Sequence, residues 1–183
     1  MTQEQAFLSQ ARSDYSVFEL LLKQDRTQVP ECHVLHYFQM AAEKLAKALL
    51  ARFSERPVPL RHDAFSKVSP LLQERLDVLD TLGLGNPGTV SRFLRGSAGL
   101  IQHLERLSPS VADALATERG LERGQAENAE YPWWHAETDT GRNWVAPADH
   151  AFAAFRTVTQ RGGDGLRIVA LVEHLLTHYD RIP

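Results

Sequence analysis

The sequence predicts an all-α fold, an up-and-down bundle of four main helices with extra short helices. Three observations lead there. The 183-residue chain holds 25 Leu and 21 Ala against 12 Val and 3 Ile, a bias toward residues that lose little on entering a helix. Apolar residues recur at helical spacing in several long segments. No run alternates apolar and polar residues at the strand period, and there is no internal repeat or low-complexity tract.

The elements follow in order. A first helix is expected over about 3–23, where Phe7, Ala11, Phe18 and Leu22 share one face. The polar stretch 25–29 is a turn, and Pro30 suits a first helical position because its missing N–H is not needed there. The second helix continues to about Phe53 with a stripe of Val34, Phe38, Ala41, Leu45, Ala48 and Leu49. Small Ala side chains on that stripe admit a neighbouring helix closely. Pro57 and Pro59 end it. A short third helix over 62–75 carries Phe65, Val68, Leu71 and Leu72.

The breaker cluster 83–88 separates this from a helix over 89–107 that Gly96 and Gly99 weaken. Ser108 before Pro109 reads as an N-cap with proline just inside the next short helix. Residues 118–146 are expected to form one long loop holding Tyr131, Trp133, Trp134 and Trp144. Those rings suit packing or an interface better than stacking on bases. Pro147 is expected to restart helix. Asp164, after Gly162 and Gly163, is expected to cap a last helix over 165–179. The whole, 1–183, is read as a single domain.

Composition excludes several classes. A net charge of −3 argues against a general nucleic-acid coat protein, though a local basic cleft stays open. One cysteine, Cys32, permits neither an internal disulfide framework nor a cysteine zinc cage, and fits a cytoplasmic location. The longest apolar runs are about five residues, too short for a bilayer, and the polar N-terminus lacks signal-peptide order. No membrane association and no cofactor are expected.

One segment is more specific. Ala41-Ala42-Glu43-Lys44-Leu45-Ala46-Lys47-Ala48-Leu49-Leu50 resembles the second-helix signature of the HEPN family of small helical domains. Ala11 and Asp14 before it, the Pro30, Cys32 and His36 lead-in, His62-Asp63 and Ala129-Glu130-Tyr131-Pro132 resemble other parts of the family pattern, which has Arg where Glu130 stands. The resemblance implies a four-helix core that pairs as a homodimer. Many members are metal-independent RNases in toxin–antitoxin or phage-defence roles. Others are non-catalytic partners of nucleotidyltransferase-like proteins, or binding domains.

The family's RNase motif sets an Arg and a His on the last core helix. Arg167 and His174 are the matching pair here. Seven residues turn a helix through roughly 700°, so both lie on one face, ~10 Å apart along the axis. His can take the proton of a ribose 2′-OH or protonate the leaving oxygen, and Arg can hold the phosphate. Arg26 and His33 repeat the spacing, but Pro30 interrupts their helix. Arg142-Asn143 begins similarly, with Pro147 before the next His. His174 with His178, and His33 with His36, have chelating spacings but no third ligand, so no metal is expected. Lys44, Lys47, Arg52 and Arg61, with Arg56, form a candidate RNA- or phosphate-binding patch. Glu43 and Lys47 are one turn apart, a pair worth a few tenths of a kcal/mol if exposed. Two functions are expected: a metal-independent endoribonuclease, or a non-catalytic partner subunit.

Overall fold

The computed structural model describes the chain except Arg26 and residues 54–57, 59–61, 84, 139–140 and 162, and describes 136–138 by backbone alone. Pro57, Pro59, Arg56, Arg61, Arg26 and Gly162, all used above, therefore lie outside the described residues. The fold is all-α. Among the described residues there are nine α-helices: α1 (Gln3–Leu22), α2 (Glu31–Phe53), α3 (Ala64–Glu74), α4 (Leu76–Thr81), α5 (Pro87–Gly96), α6 (Ala98–Glu105), α7 (Pro109–Glu118), α8 (Ala153–Thr159) and α9 (Asp164–His178). A small hairpin, β1 (Trp133–Thr138) and β2 (Gly141–Val145), lies between α7 and α8. None of the described helices is long and apolar enough to cross a membrane.

α2 is the axis of the bundle. Val34, Leu35, Phe38, Ala41, Leu45, Ala46, Ala48 and Leu49 are all essentially inaccessible. That is more than one stripe, as expected for a helix packed on several sides. α1 makes the most extensive contact with it, through Ala11, Tyr15 and Phe18, with the Phe18 and Phe38 rings 5.0 Å apart. α3 joins α2 to α5 and α6, and α9 packs on α8 while touching α1 and α2. Thr2 and Gln5 close a reciprocal capping box at the start of α1. Arg12 donates to the Leu176 carbonyl and to Asp180, fastening α1 to the end of α9.

Four expectations need correction. The expected loop contains the hairpin, whose register runs Trp133↔Val145 and Trp134↔Trp144, then shifts by one before Glu137↔Arg142. That irregularity is a β-bulge. Gly141 adopts φ 114° beyond it, a conformation that side chains disfavour. The helix expected over 89–107 divides at Ser97, which leaves helical geometry (φ −90°, ψ 2°) between the two glycines. Pro147 opens only a 3-10 turn, and α8 begins at Ala153 after the extended His150. There the Glu31 carboxylate accepts the Phe152 N–H, tying α8 to α2. Gly163, rather than Asp164, stands at the N-cap of α9. In α3, Leu71 is 38% exposed while Phe65, Val68 and Leu72 are buried.

α8 and α9 meet backbone to backbone at Gly165. A Cβ there would lie 2.3 Å from the Thr157 carbonyl oxygen. Only glycine allows that approach.

Candidate functional site

The polar centre of the bundle is Glu43, whose side chain is 1% exposed. Lys47 Nζ lies 2.6 Å and Lys44 Nζ 3.1 Å from Oε1, while Gln39 Nε2 donates to Oε2 at 3.1 Å. His62 Nδ1 approaches Oε2 at 2.7 Å. Burial alone raises the Glu43 carboxyl. The Lys47 hydrogen bond, the Lys44 charge and the His62 contact outweigh it and hold the group below its ordinary value. The Glu43–Lys47 pair is thus internal rather than exposed, and its energetics are those of a buried ion pair.

Beyond His62 opens a cleft of about 530 Å³ between α3, α6 and α7, lined by Ser66, Glu105, Arg106 and Ser110 among others. Glu105, 5% exposed, accepts the Ser66 backbone N–H at 2.9 Å. Asp63, at the N-cap of α3, makes no side-chain cap of its own. Glu105 therefore caps α3 from a different helix. Burial raises the Glu105 carboxyl above its ordinary value, against the Ser66 hydrogen bonds. A carboxyl raised in the fold disfavours folding as pH climbs past its ordinary value. Glu105→Gln, which keeps the acceptor, is expected to hold or raise stability at pH 7 and flatten that decline. Glu105→Ala is expected to cost about 1–2 kcal/mol. Thermal denaturation of both variants between pH 4 and 8, ~0.5 unit apart, checks this.

Arg167 and His174 both line one surface groove of about 300 Å³ with Val90, Phe93, Ala170 and Leu171. The helical spacing thus brings the two together along one wall. The Arg167 guanidinium sits 4.2 Å from the centre of the Phe93 ring and contacts Asp164 at 3.3 Å. His174 Nε2 lies 2.6 Å from the Leu82 carbonyl oxygen. A carbonyl only accepts, so this contact places the proton on Nε2 and leaves Nδ1 as the basic nitrogen. The His178 ring lies 4.4 Å away. Burial, His174 and Arg181 hold His178 below its ordinary value. Among the described residues no group of His, Cys, Asp or Glu forms a metal cluster.

Three basic residues of the expected patch, Lys44, Lys47 and Arg52, have internal partners. Lys47, 3% exposed, and Lys44 turn to Glu43. Arg52 donates to Glu4 and to the Tyr179 and Ile182 carbonyls, and its guanidinium lies over the Tyr179 ring. It neutralises the C-terminal end of the helical bundle, where a cation is favoured. Arg61 lies outside the described residues. Arg52 and Lys47 are therefore part of the scaffold.

Two acidic residues enter the sequence reading only as parts of the family-like pattern. Asp14, 7% exposed, accepts from Gln10 at Oδ1 while Oδ2 has no partner, and burial raises it despite Gln10, Lys44 and His36. Glu130, which stands where the family pattern has Arg, faces His36 at 3.5 Å. The Glu43–His62 contact was also not foreseen. The available signal was Gln39, Glu43 and Lys47 at four-residue steps in a helix apolar on nearly every side, which forces them inward. Trp133 and Trp134 are buried, whereas Tyr131 and Trp144 are exposed. No family model, no curated protein and no solved structure matches the chain.

Proposed function

We propose that this chain is a HEPN-like metal-independent endoribonuclease, acting as a homodimer in a toxin or phage-defence role. The supporting observation is the common groove of Arg167 and His174, with the His174 tautomer set by the Leu82 carbonyl. His174 Nδ1 takes the proton of a ribose 2′-OH. The 2′-oxygen then bonds to the adjacent phosphorus, and the bond from phosphorus to the 5′-oxygen breaks. His174 of a second copy, protonated, gives its proton to that leaving oxygen. Arg167 offsets charge on the phosphorane.

In EDTA, RNA is expected to be cut to ends bearing a 2′,3′-cyclic phosphate. His174→Ala is expected to slow cleavage by about 10²–10⁴-fold without lowering the melting temperature appreciably. Structured and unstructured RNA left intact under enzyme excess contradicts the proposal. Loss of cleavage in His62→Ala but not in His174→Ala moves the chemistry to the Glu43–His62 cleft.

A second reading is a non-catalytic HEPN-like subunit of a nucleotidyltransferase-like protein. The internal engagement of Lys47 and Arg52 favours it, because it removes cations that RNA would attract. It expects a stable complex with such a protein and intact RNA.

A further inference from the structure

A second cavity, of about 340 Å³, lies between α6, α7, the segment 121–127 and β1. It is separate from the Arg167–His174 groove and large enough for a small organic molecule. We infer that it binds a small organic anion, one carboxylate or phosphate group carried on an apolar body.

Two buried N–H donors belong to its lining. Trp133 is 0% exposed and its indole Nε1 has no acceptor, and Arg106 Nε is likewise shielded and unpartnered. Buried donors are nearly always paired. Both nitrogens are covered by the lining as it stands, and a ligand oxygen that displaces that cover is the complementary group.

The charge of the lining agrees. Arg106 and Arg119 contribute two guanidiniums, and neither meets a carboxylate among the described residues. His103 and His135 stand beside them. Among the described residues the one acid on the lining, Glu127, has its carboxylate 3.6 Å from His150. In a chain of net charge −3, this is a local cationic pocket.

The remaining wall is apolar, formed by Leu107, Leu115 and Leu121 with the Trp133 ring. Leu121 is 45% exposed, so it forms a greasy rim at the mouth. A bare inorganic ion leaves that wall unused. An anion bearing a ring or short chain covers it and removes that apolar surface from water.

The test uses the full chain labelled with ¹⁵N and the probes benzoate, phenyl phosphate, benzyl alcohol and inorganic phosphate. Benzoate or phenyl phosphate is expected to shift the Trp133 indole N–H resonance saturably, and the tighter of the two identifies the headgroup. Benzyl alcohol and inorganic phosphate are expected to bind about tenfold more weakly or worse. Arg106→Gln is expected to weaken the organic anion by about tenfold or more at an unchanged melting temperature. If that variant does not fold, Arg119→Gln, changed at an exposed side chain, serves the same purpose. Equal binding of benzoate, phenyl phosphate and the alcohol, or of the organic anions and bare phosphate, overturns the inference. So does retained affinity in the folded variant, or no Trp133 shift with either organic anion up to roughly 10 mM, tenfold beyond a millimolar Kd.

Discussion

Replacing Glu43 with glutamine is expected to lower stability by about 3–5 kcal/mol. Lys47 is 3% exposed and Lys44 15%, and both take their countercharge from this one carboxylate. Glutamine keeps the volume and loses the charge, leaving an uncompensated buried ammonium. For a chain of this size the melting temperature falls by about 2–4 °C per kcal/mol, so a drop of roughly 6–20 °C is expected by thermal denaturation. Glu43→Leu combined with Lys47→Leu removes both charges. It is expected to recover much of the loss, because a buried ion pair exchanged for apolar groups is often neutral.

The same residue governs acid sensitivity, and its sign follows from the direction of its shift. The folded state holds Glu43 below the ordinary glutamate value of 4.5. Its stabilisation is therefore complete above that value and disappears as pH falls through the lower, folded one. Asp14 and Glu105, both raised by burial, act in the opposite sense and gain from protonation. Removing Glu43 is expected to flatten the acid limb of the stability curve, while removing the Glu105 charge is expected to steepen it.

Gly165→Ala is the second large effect. The added methyl would meet the Thr157 oxygen at 2.3 Å, the Thr157 carbonyl carbon at 2.6 Å and the Val158 nitrogen at 2.9 Å. All three atoms are backbone, so no rotamer change relieves the overlap and α8 must move away from α9. A cost of about 3 kcal/mol is expected, at or above the top of the usual range for overpacking. Gly99→Ala, inside α6 with nothing within 4 Å of the new methyl, is the control. It is expected to be neutral or to stabilise by about 0.5 kcal/mol. Urea denaturation of the two variants separates packing from helix propensity.

Local periodicity made α1 and α2 legible, because their apolar faces repeat over more than five turns. The hairpin gave no comparable signal. Trp133 and Trp134 are adjacent and both buried, while β2 is exposed along nearly its whole length, so neither strand alternates. Its placement follows from Trp133 packing against His150 and Phe152, a contact across more than fifteen residues that no local pattern encodes. The shared face of Arg167 and His174 was legible since one helix carries both. The Glu43–His62 contact joins α2 to a residue just before α3, nineteen positions on, so spacing within one helix did not reveal it. The cationic cavity requires α6, α7 and the hairpin together, and the sequence shows its Arg and His residues only as scattered charges.

The central claim is that Arg167 and His174 act on one phosphate as a unit. A double-mutant cycle on single-turnover RNA cleavage in EDTA tests it most directly. If they cooperate, the Arg167→Ala/His174→Ala double variant loses little more rate than His174→Ala alone, since residues acting together are strongly non-additive. Losses that multiply independently, or a wild-type protein that leaves RNA uncut, contradict it.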